Sequence, residues 1–576
     1  MSLTTTARAA PGAEPQKVLL DRRPVRRLLT AAIVVSFMTN LLALVQPVFM
    51  LHVYDFVLSS ESRSTLFWLT VIALFLMLVL SALDFLRGRL MGEMALEIDR
   101  QVRERAFLGA YERSLSQRMF GRSSFSTDLD TVRAFLTGPS AIALMDLPWT
   151  PIFIVALFML SWLLGSISLL FAVLIMIAVV ANQGVGRKLA KQSVVQNQKA
   201  QRIAEDIFQA ADAVESMGFS KNALGRWAGV ARSASETNNM AAAKTGVTSS
   251  MVKGLRISLQ ILSLAVAAWL VLDQKVTAGA MFASSIIGAR ALGPIDQAVT
   301  AWRTISAARL SWGNLAELVR EHDVAHAERT ELPAPTGALK LEGVAVTTAN
   351  RSAVLVQGVS FEAPAGAFIG VVGPSGSGKT TMARAIAGAV PLAGGVVRFD
   401  GADARQWARE KLGRHIGFLP QSVHLMQGTV AETIRRFGPA DDEGVIEAAK
   451  LAGAHDMVTR LGKGYDTDVG DAGGQLSGGQ RARIGLARAV YGDPKIYILD
   501  EPFASMDAEG EASTWNLLRE LKRRGRTVIL VSHKPSELVG FDYVAVMNGG
   551  RLARFGPVKE ILPSITGKPA VSTTPS

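Results

Sequence analysis

The chain has 576 residues, no cysteine, 49% apolar side chains and a formal net charge of +12. The lack of cysteine excludes disulfides, thiol catalysis and cysteine-ligated metals. A positive charge would suit nucleic acid, but here Lys and Arg cluster beside apolar runs, where membrane orientation explains them, so no nucleic-acid partner is expected. The length exceeds one ordinary domain, and the apolar excess lies before residue 310, which points to two large parts.

Residues 1–20 are rich in Ala, Thr and Pro and lack periodicity, and Arg22, Arg23, Arg26 and Arg27 follow; a disordered, basic tail is expected over 1–27. The apolar run from Leu28 to about Leu51 is longer than the ~7–15-residue core of a signal peptide and has no small-residue cleavage site. It reads as a first membrane span. Stretches 65–85, 140–160, 162–181, 251–272 and 276–299 are each near the ~20 residues that a bilayer crossing needs. Six spans result, in a transmembrane domain predicted over 28–320.

Orientation follows from the loops. Arg87, Arg89, Arg100, Arg103 and Arg105 follow span two, and Arg187, Lys188, Lys191, Lys199, Arg202, Lys221 and Arg226 follow span four. The connections after spans one, three and five hold only Arg63 and Lys275. Both termini are therefore expected on the cytoplasmic side, with membrane lipid around the spans. The basic loops carry helical patterns, such as Met94-Ala-Leu-Glu-Ile-Asp and Ile203-Ala-Glu-Asp-Ile-Phe, that read as helices continuing out of the membrane. Pro47, Pro148 and Pro151 predict kinks or breaks. Arg290 and Asp296 face either a watery path or the cytoplasmic end of span six.

A polar, Pro-containing linker is predicted at 321–336, an α/β domain at 337–565 and a C-terminal tail at 566–576. Phe368-Ile-Gly-Val-Val runs into Gly373-Pro-Ser-Gly-Ser-Gly-Lys-Thr-Thr381 and then a helical stretch, the strand, loop and helix of a phosphate cradle. Gly373, Pro374, Ser375, Gly376, Ser377 and Gly378 bring backbone N–H groups to phosphate oxygens. Lys379 reaches the β- and γ-phosphates, while Thr380 offers its hydroxyl to Mg²⁺, with Thr381 beside it. Gln421 ends a strand-like run, suited to touching Mg²⁺ or an attacking water. Leu476-Ser-Gly-Gly-Gln480 precedes a helix, so Ser477, Gly478, Gly479 and Gln480 form a second anion cradle. Ile496-Tyr-Ile-Leu-Asp500-Glu501 ends in two carboxylates: Asp500 suits Mg²⁺, and Glu501 is placed to orient or deprotonate a water. His533, after the strand 527–531, could contact the γ-phosphate and hold Glu501 in line.

This ordered set resembles the nucleotide-binding domain of the ATP-binding cassette family. The resemblance implies a Walker A at Gly373 to Thr380, a Q-loop at Gln421, a signature at Leu476 to Gln480 and a Walker B ending at Asp500. It further implies a catalytic Glu501, a D-loop through Asp507 and a switch His533, with ATP and Mg²⁺ as cofactors. One departure stands out. Where cassettes often carry an adenine-stacking aromatic, this chain reads Val344-Ala-Val-Thr-Thr-Ala-Asn.

In the membrane half, the stretches 50–58, 130–138, Asp146-Leu-Pro-Trp149, Glu215-Ser-Met-Gly218 and Arg290-Ala-Leu-Gly-Pro294 with Trp302 are similar to those of type I secretion permease/ATPases. That branch implies a homodimer in the bacterial inner membrane, exporting unfolded polypeptides with C-terminal signals. A periplasmic adaptor and an outer-membrane channel protein would complete the duct. With 27 residues before the first span, the peptidase-like domain that some members carry is not expected here. In such a dimer, cassette closure would reach the membrane through helical tips near 123–131 and 213–225. The rival readings are an exporter of lipid or hydrophobic small molecules and a non-transporting ATP-driven gate or regulator.

Overall fold

The computed structural model describes residues 21–116, 125–326, 332–348, 353–470 and 473–566. Most of the two expected tails, part of the linker (327–331) and the start of the tip at 123–131 lie outside the described residues. The chain divides into two compact units, Met1–Tyr111 with Gly121–Asp323, and Glu112–Phe120 with Val324–Ser576.

The first unit is helical. Asp21 caps α1 (Arg22–Leu42) by accepting from the Arg23 N–H, so the helix begins inside the stretch expected as a tail. α2 (Val45–His52), a π-helical turn at Val53–Val57 and α3 (Leu58–Ser60) continue it. There follow α4 (Arg63–Ser116), α5 (Phe125–Thr137), α6 (Pro139–Asp146), α7 (Thr150–Leu160), α8 (Trp162–Gln209) and α9 (Ala211–Ser216). α10 (Ser220–Leu272), α11 (Ala278–Thr300) and α12 (Trp302–His326) complete the unit. The tip expected at 213–225 comprises the end of α9, a break and the start of α10.

α4, α8 and α10 have 54, 48 and 53 residues. At 1.5 Å per residue they are about 70–80 Å long, over twice the hydrocarbon thickness, so each continues past its apolar part and well beyond the membrane. Among the described residues, five stretches are long and apolar enough to cross: Arg22–Ser60, Arg63–Leu115, Pro139–Leu160, Ser250–Leu272 and Ala278–Ala298. The span expected at 162–181 is represented among the described residues by a shorter apolar helix, Trp162–Ile175. This is a multi-pass membrane domain.

One helix break, between α6 and α7, follows its prolines. Pro148 lies in a 3₁₀ turn, Leu147–Trp149, and Pro151 in the first turn of α7, because proline lacks the N–H that an unbroken helix would use. Beside this break, Asp146 Oδ1 accepts from Ser36 Oγ (2.6 Å), Asn40 Nδ2 (2.8 Å) and Arg87 Nη1 (2.7 Å). One carboxylate thus ties α1, α4 and α6 together, and Arg87 also pairs with Asp84. Pairing is what makes such charges tolerable among apolar helices. The π-helical turn sets a second tie: Asp55 accepts from the Thr277 hydroxyl (2.6 Å) and the Gly279 N–H (2.8 Å) at the start of α11.

The second unit contains two sheets. β1 (Leu339–Thr347), β2 (Val354–Ala363), β4 (Gly394–Phe399) and β5 (Ala402–Asp403) form an antiparallel sheet in the order β2-β1-β4-β5. β3 (Phe368–Val372), β6 (Ile416–Leu419), β7 (Ile496–Asp500), β8 (Thr527–Val531), β9 (Tyr543–Asn548) and β10 (Arg551–Pro557) form the other, ordered β10-β9-β3-β8-β7-β6. In the latter only β10 is antiparallel. β3, β7 and β8 are buried at every position, as expected for parallel strands covered on both faces.

One apolar cluster joins Phe368, Leu499 and Leu530 to the helices Asp442–Leu451, Gly478–Val490 and Ala508–Arg523. The other joins Ile369, Ile498 and Ile529 to the helix Lys379–Ile386 and to Leu341 and Val356 of the antiparallel sheet. The parallel strands end together, and ligands bind at such a carboxyl edge.

Candidate active site

β3 leads into the glycine-rich loop, and the helix begins at Lys379. Two glycines are dictated by close approach. A Cβ at Gly373 (φ +153°) would lie 2.1 Å from the Met547 carbonyl oxygen, and one at Gly378 (φ +92°) 2.8 Å from that of Leu355. The loop closes around Lys379, whose Nζ donates to the carbonyls of Gly373 (2.8 Å) and Pro374 (2.9 Å). Burial holds the Lys379 pKa below the ordinary lysine value, against the pull of the Glu501 and Asp500 carboxylates.

β7 brings the two carboxylates to the same edge. Asp500 is buried, and its Oδ1 accepts from the Thr380 hydroxyl at 3.3 Å. Burial pushes its carboxyl above the usual range, with the Thr380 hydrogen bond opposing. Asp500 Oδ2 and Ser377 Oγ are buried without a hydrogen-bond partner among the described residues. Two unsatisfied oxygens beside Thr380 are a donor set suited to a hard divalent cation, which takes oxygen ligands.

Glu501 has a left-handed backbone (φ +53°), fixed by its N–H donating to Val531 at 3.0 Å. Its two carboxylate oxygens are bracketed. Gln421 Nε2 donates to Oε2 at 3.1 Å, and His533 Nε2 lies 2.5 Å from Oε1. The other ring nitrogen of His533 is 3.4 Å from Lys379 Nζ. Four strand ends thus deliver Lys379, Gln421, Glu501 and His533 to one place.

That place is a cleft of about 370 Å³, lined by Ser375 to Thr381, Gln421, Glu501, His533, Val354, Leu355, Gly549 and Gly550. Reading the motifs alone misses the last four. Their signals are weak: Val354 and Leu355 stay exposed at the start of a strand whose Val356 is buried, and Gly549-Gly550 is a turn pair between β9 and β10.

Ser477 to Gln480 and Asp507 do not line the cleft. Ser477 and Gln480 satisfy one another in a capping box (3.2 and 2.8 Å) at the start of the helix Gly478–Val490. Asp507 caps the helix Ala508–Arg523 through Gly510 (3.0 Å) and faces Arg483 at 3.4 Å.

Residues 29–289 match the family model of the ABC transporter transmembrane region, and residues 356–504 that of the ABC transporter. The chain is 38% identical over 535 residues to the type I secretion system ATP-binding protein PrsD of Rhizobium meliloti (strain 1021), covering 92% of this chain and 91% of that one. It belongs to the ABC exporters of type I secretion. The exporter is also 29% identical to the cyclolysin secretion/processing ATP-binding protein CyaB of Bordetella pertussis (strain Tohama I / ATCC BAA-589 / NCTC 13251), over 93% of this chain and 76% of that one. It is 27% identical to the alpha-hemolysin translocation ATP-binding protein HlyB of Escherichia coli O157:H7, over 93% and 77%. A solved bacterial Atm1-family ABC exporter with ATP bound superposes with a TM-score of 0.77 at 22% identity, covering 96% of this chain and 99% of that one, and shows the same fold. As an ABC exporter it binds nucleotide and couples ATP hydrolysis to transport.

Proposed function

We propose that the exporter works as a homodimer in the bacterial inner membrane, both termini cytoplasmic, and moves unfolded polypeptides bearing C-terminal signals. A periplasmic adaptor and an outer-membrane channel protein would take the polypeptide onward. The names of PrsD, CyaB and HlyB support secretion of protein. The observation that carries the catalytic reading is the bracketing of Glu501 by Gln421 and His533 beside Lys379, all on one cleft.

In this reading the loop N–H groups and Lys379 hold the ATP phosphates, while Val354 and Leu355 offer the base an aliphatic surface in place of an aromatic. Thr380, Asp500 and Gln421 would hold Mg²⁺, which supplies charge neutralisation at the β- and γ-phosphates. Glu501 orients the attacking water and accepts its proton, and His533 keeps the carboxylate in line. Ser477 to Gln480, outside the cleft of their own chain, would close over the nucleotide of the second copy, with Asp507 at the same seam. Domain limits at 28–320 and 337–565 complete the proposal.

The test is to reconstitute the full chain with its adaptor and measure ATPase activity against C-terminal segments of secreted proteins and against lipids. Stimulation by one C-terminal segment is expected. Stimulation by lipid alone would favour a lipid exporter, and nucleotide-dependent partner binding without substrate movement would favour a gate.

A further inference from the structure

α11 differs from α4 in what it leaves uncovered. On α4 the exposed side chains are Phe67, Trp68, Leu74, Phe75, Leu78 and Phe85, each more than 60% exposed, a surface made for acyl chains. On α11, Ile287, Ala291, Leu292 and Ile295 are packed against neighbouring helices. At 100° per residue, Ala289, Arg290, Gly293, Asp296 and Gln297 fall within about 120° of the remaining arc. Arg290 and Gln297 are exposed there, the other three half-buried. A Cβ built on Gly293 would meet nothing within 4 Å, so this side of the helix is open.

Arg290 lies about 12 Å along the helix from Ala298 and about 18 Å from Ala278, the ends of the apolar stretch. Asp296, the acid on this face, pairs with Arg256 of α10 at 3.9 Å. Arg290 has no acceptor among the described residues. A guanidinium with no partner at this depth belongs beside water or an arriving anion rather than hydrocarbon. A second copy packed flat on this face would bring another unpaired arginine and no spare carboxylate.

We propose that this face of α11 is a wall of a water-filled passage, and that Arg290 binds the carboxylates of an extended polypeptide moving along it. The inference rests on the protein-export reading. A guanidinium grips a carboxylate through two parallel N–H donors, while Ala289 and Gly293 leave the width that a peptide backbone requires.

Because the chain has no cysteine, single cysteines report cleanly. In the full-length protein reconstituted in vesicles, Ala289→Cys and Gly293→Cys are treated with a charged, membrane-impermeant maleimide, with Phe75→Cys as the lipid-facing control. Positions 289 and 293 are expected to label and position 75 to resist. An unfolded, glutamate-rich polypeptide should slow labelling of position 293 by roughly tenfold, the scale of one charge-assisted contact. Adding Arg290→Glu should abolish that protection, and Arg290→Lys should keep most of it.

Labelling at 293 no faster than at 75 would overturn the passage, as would a disulfide between two copies at 293 in place of labelling. Protection by anionic lipid but not by the polypeptide would overturn the assignment of Arg290. If a C-terminal segment stimulates the ATPase yet no polypeptide protects position 293, the export reading stands and this inference falls.

Discussion

Glu501 is held by backbone as well as side-chain contacts: a left-handed φ of +53° turns it out of β7, and Gln421 and His533 occupy its two oxygens. Non-glycine residues seldom adopt that backbone without a functional constraint. Glu501→Gln keeps the shape and removes the proton acceptor. Nucleotide binding should persist while hydrolysis falls on the order of 10²-fold or more, measured by single-turnover ATPase assays; near-normal turnover would remove Glu501 from the role of base. Val354 and Leu355 carry a second expectation. They are 57% and 39% exposed at the cleft, so Val354→Ser with Leu355→Ser should weaken ATP binding about tenfold, the worth of roughly 1–2 kcal/mol of apolar contact. Fluorescent-nucleotide titration checks it, with GTP expected to weaken in parallel. Lys379, Gln421, Glu501 and His533, which meet at the cleft, were legible in sequence because each closes a short local motif. Val354 and Leu355 were not, because only the folding of β2 over the glycine-rich loop brings them to the cleft.

At the scale of elements, the membrane helices are joined by polar ties that hydropathy does not reveal. The Asp146-Leu-Pro-Trp149 stretch was visible as a motif, but its partners Ser36, Asn40 and Arg87 come from helices distant in sequence. Asp146→Ala would leave the buried Arg87 with Asp84, itself half exposed, as its one carboxylate among the described residues, beside a long contact to Ser36. A loss of about 3 kcal/mol is expected, as for other broken buried pairs. The measurement is the thermal unfolding midpoint in detergent, and an unchanged midpoint would mean that the tie contributes nothing. Breaks at Pro148 and Pro151 could be read from the residue type alone. The π-helical turn at Val53–Val57 could not, because it serves a contact to Thr277 and Gly279 more than two hundred residues away.

For the whole molecule, the long helices and an α/β cassette follow from periodicity and motif order, whereas the separate antiparallel sheet and α12 do not. That helix runs on to His326, through residues whose polarity reads as a linker. Its Val319 and Leu315 pack with Val102 and Ala106 of α4, and Asp323 pairs with Arg105, so tertiary contact overrides composition. The proposed function requires two copies sharing each nucleotide, since Ser477 to Gln480 lie outside the cleft of their own chain. Cysteines placed at Ser477 and at Ser375 in the otherwise cysteine-free chain, in a Glu501→Gln background, test it directly. ATP should drive a 477-to-375 disulfide between two chains that is absent without nucleotide; a protein that binds ATP, stays uncross-linked and remains monomeric would contradict the shared site.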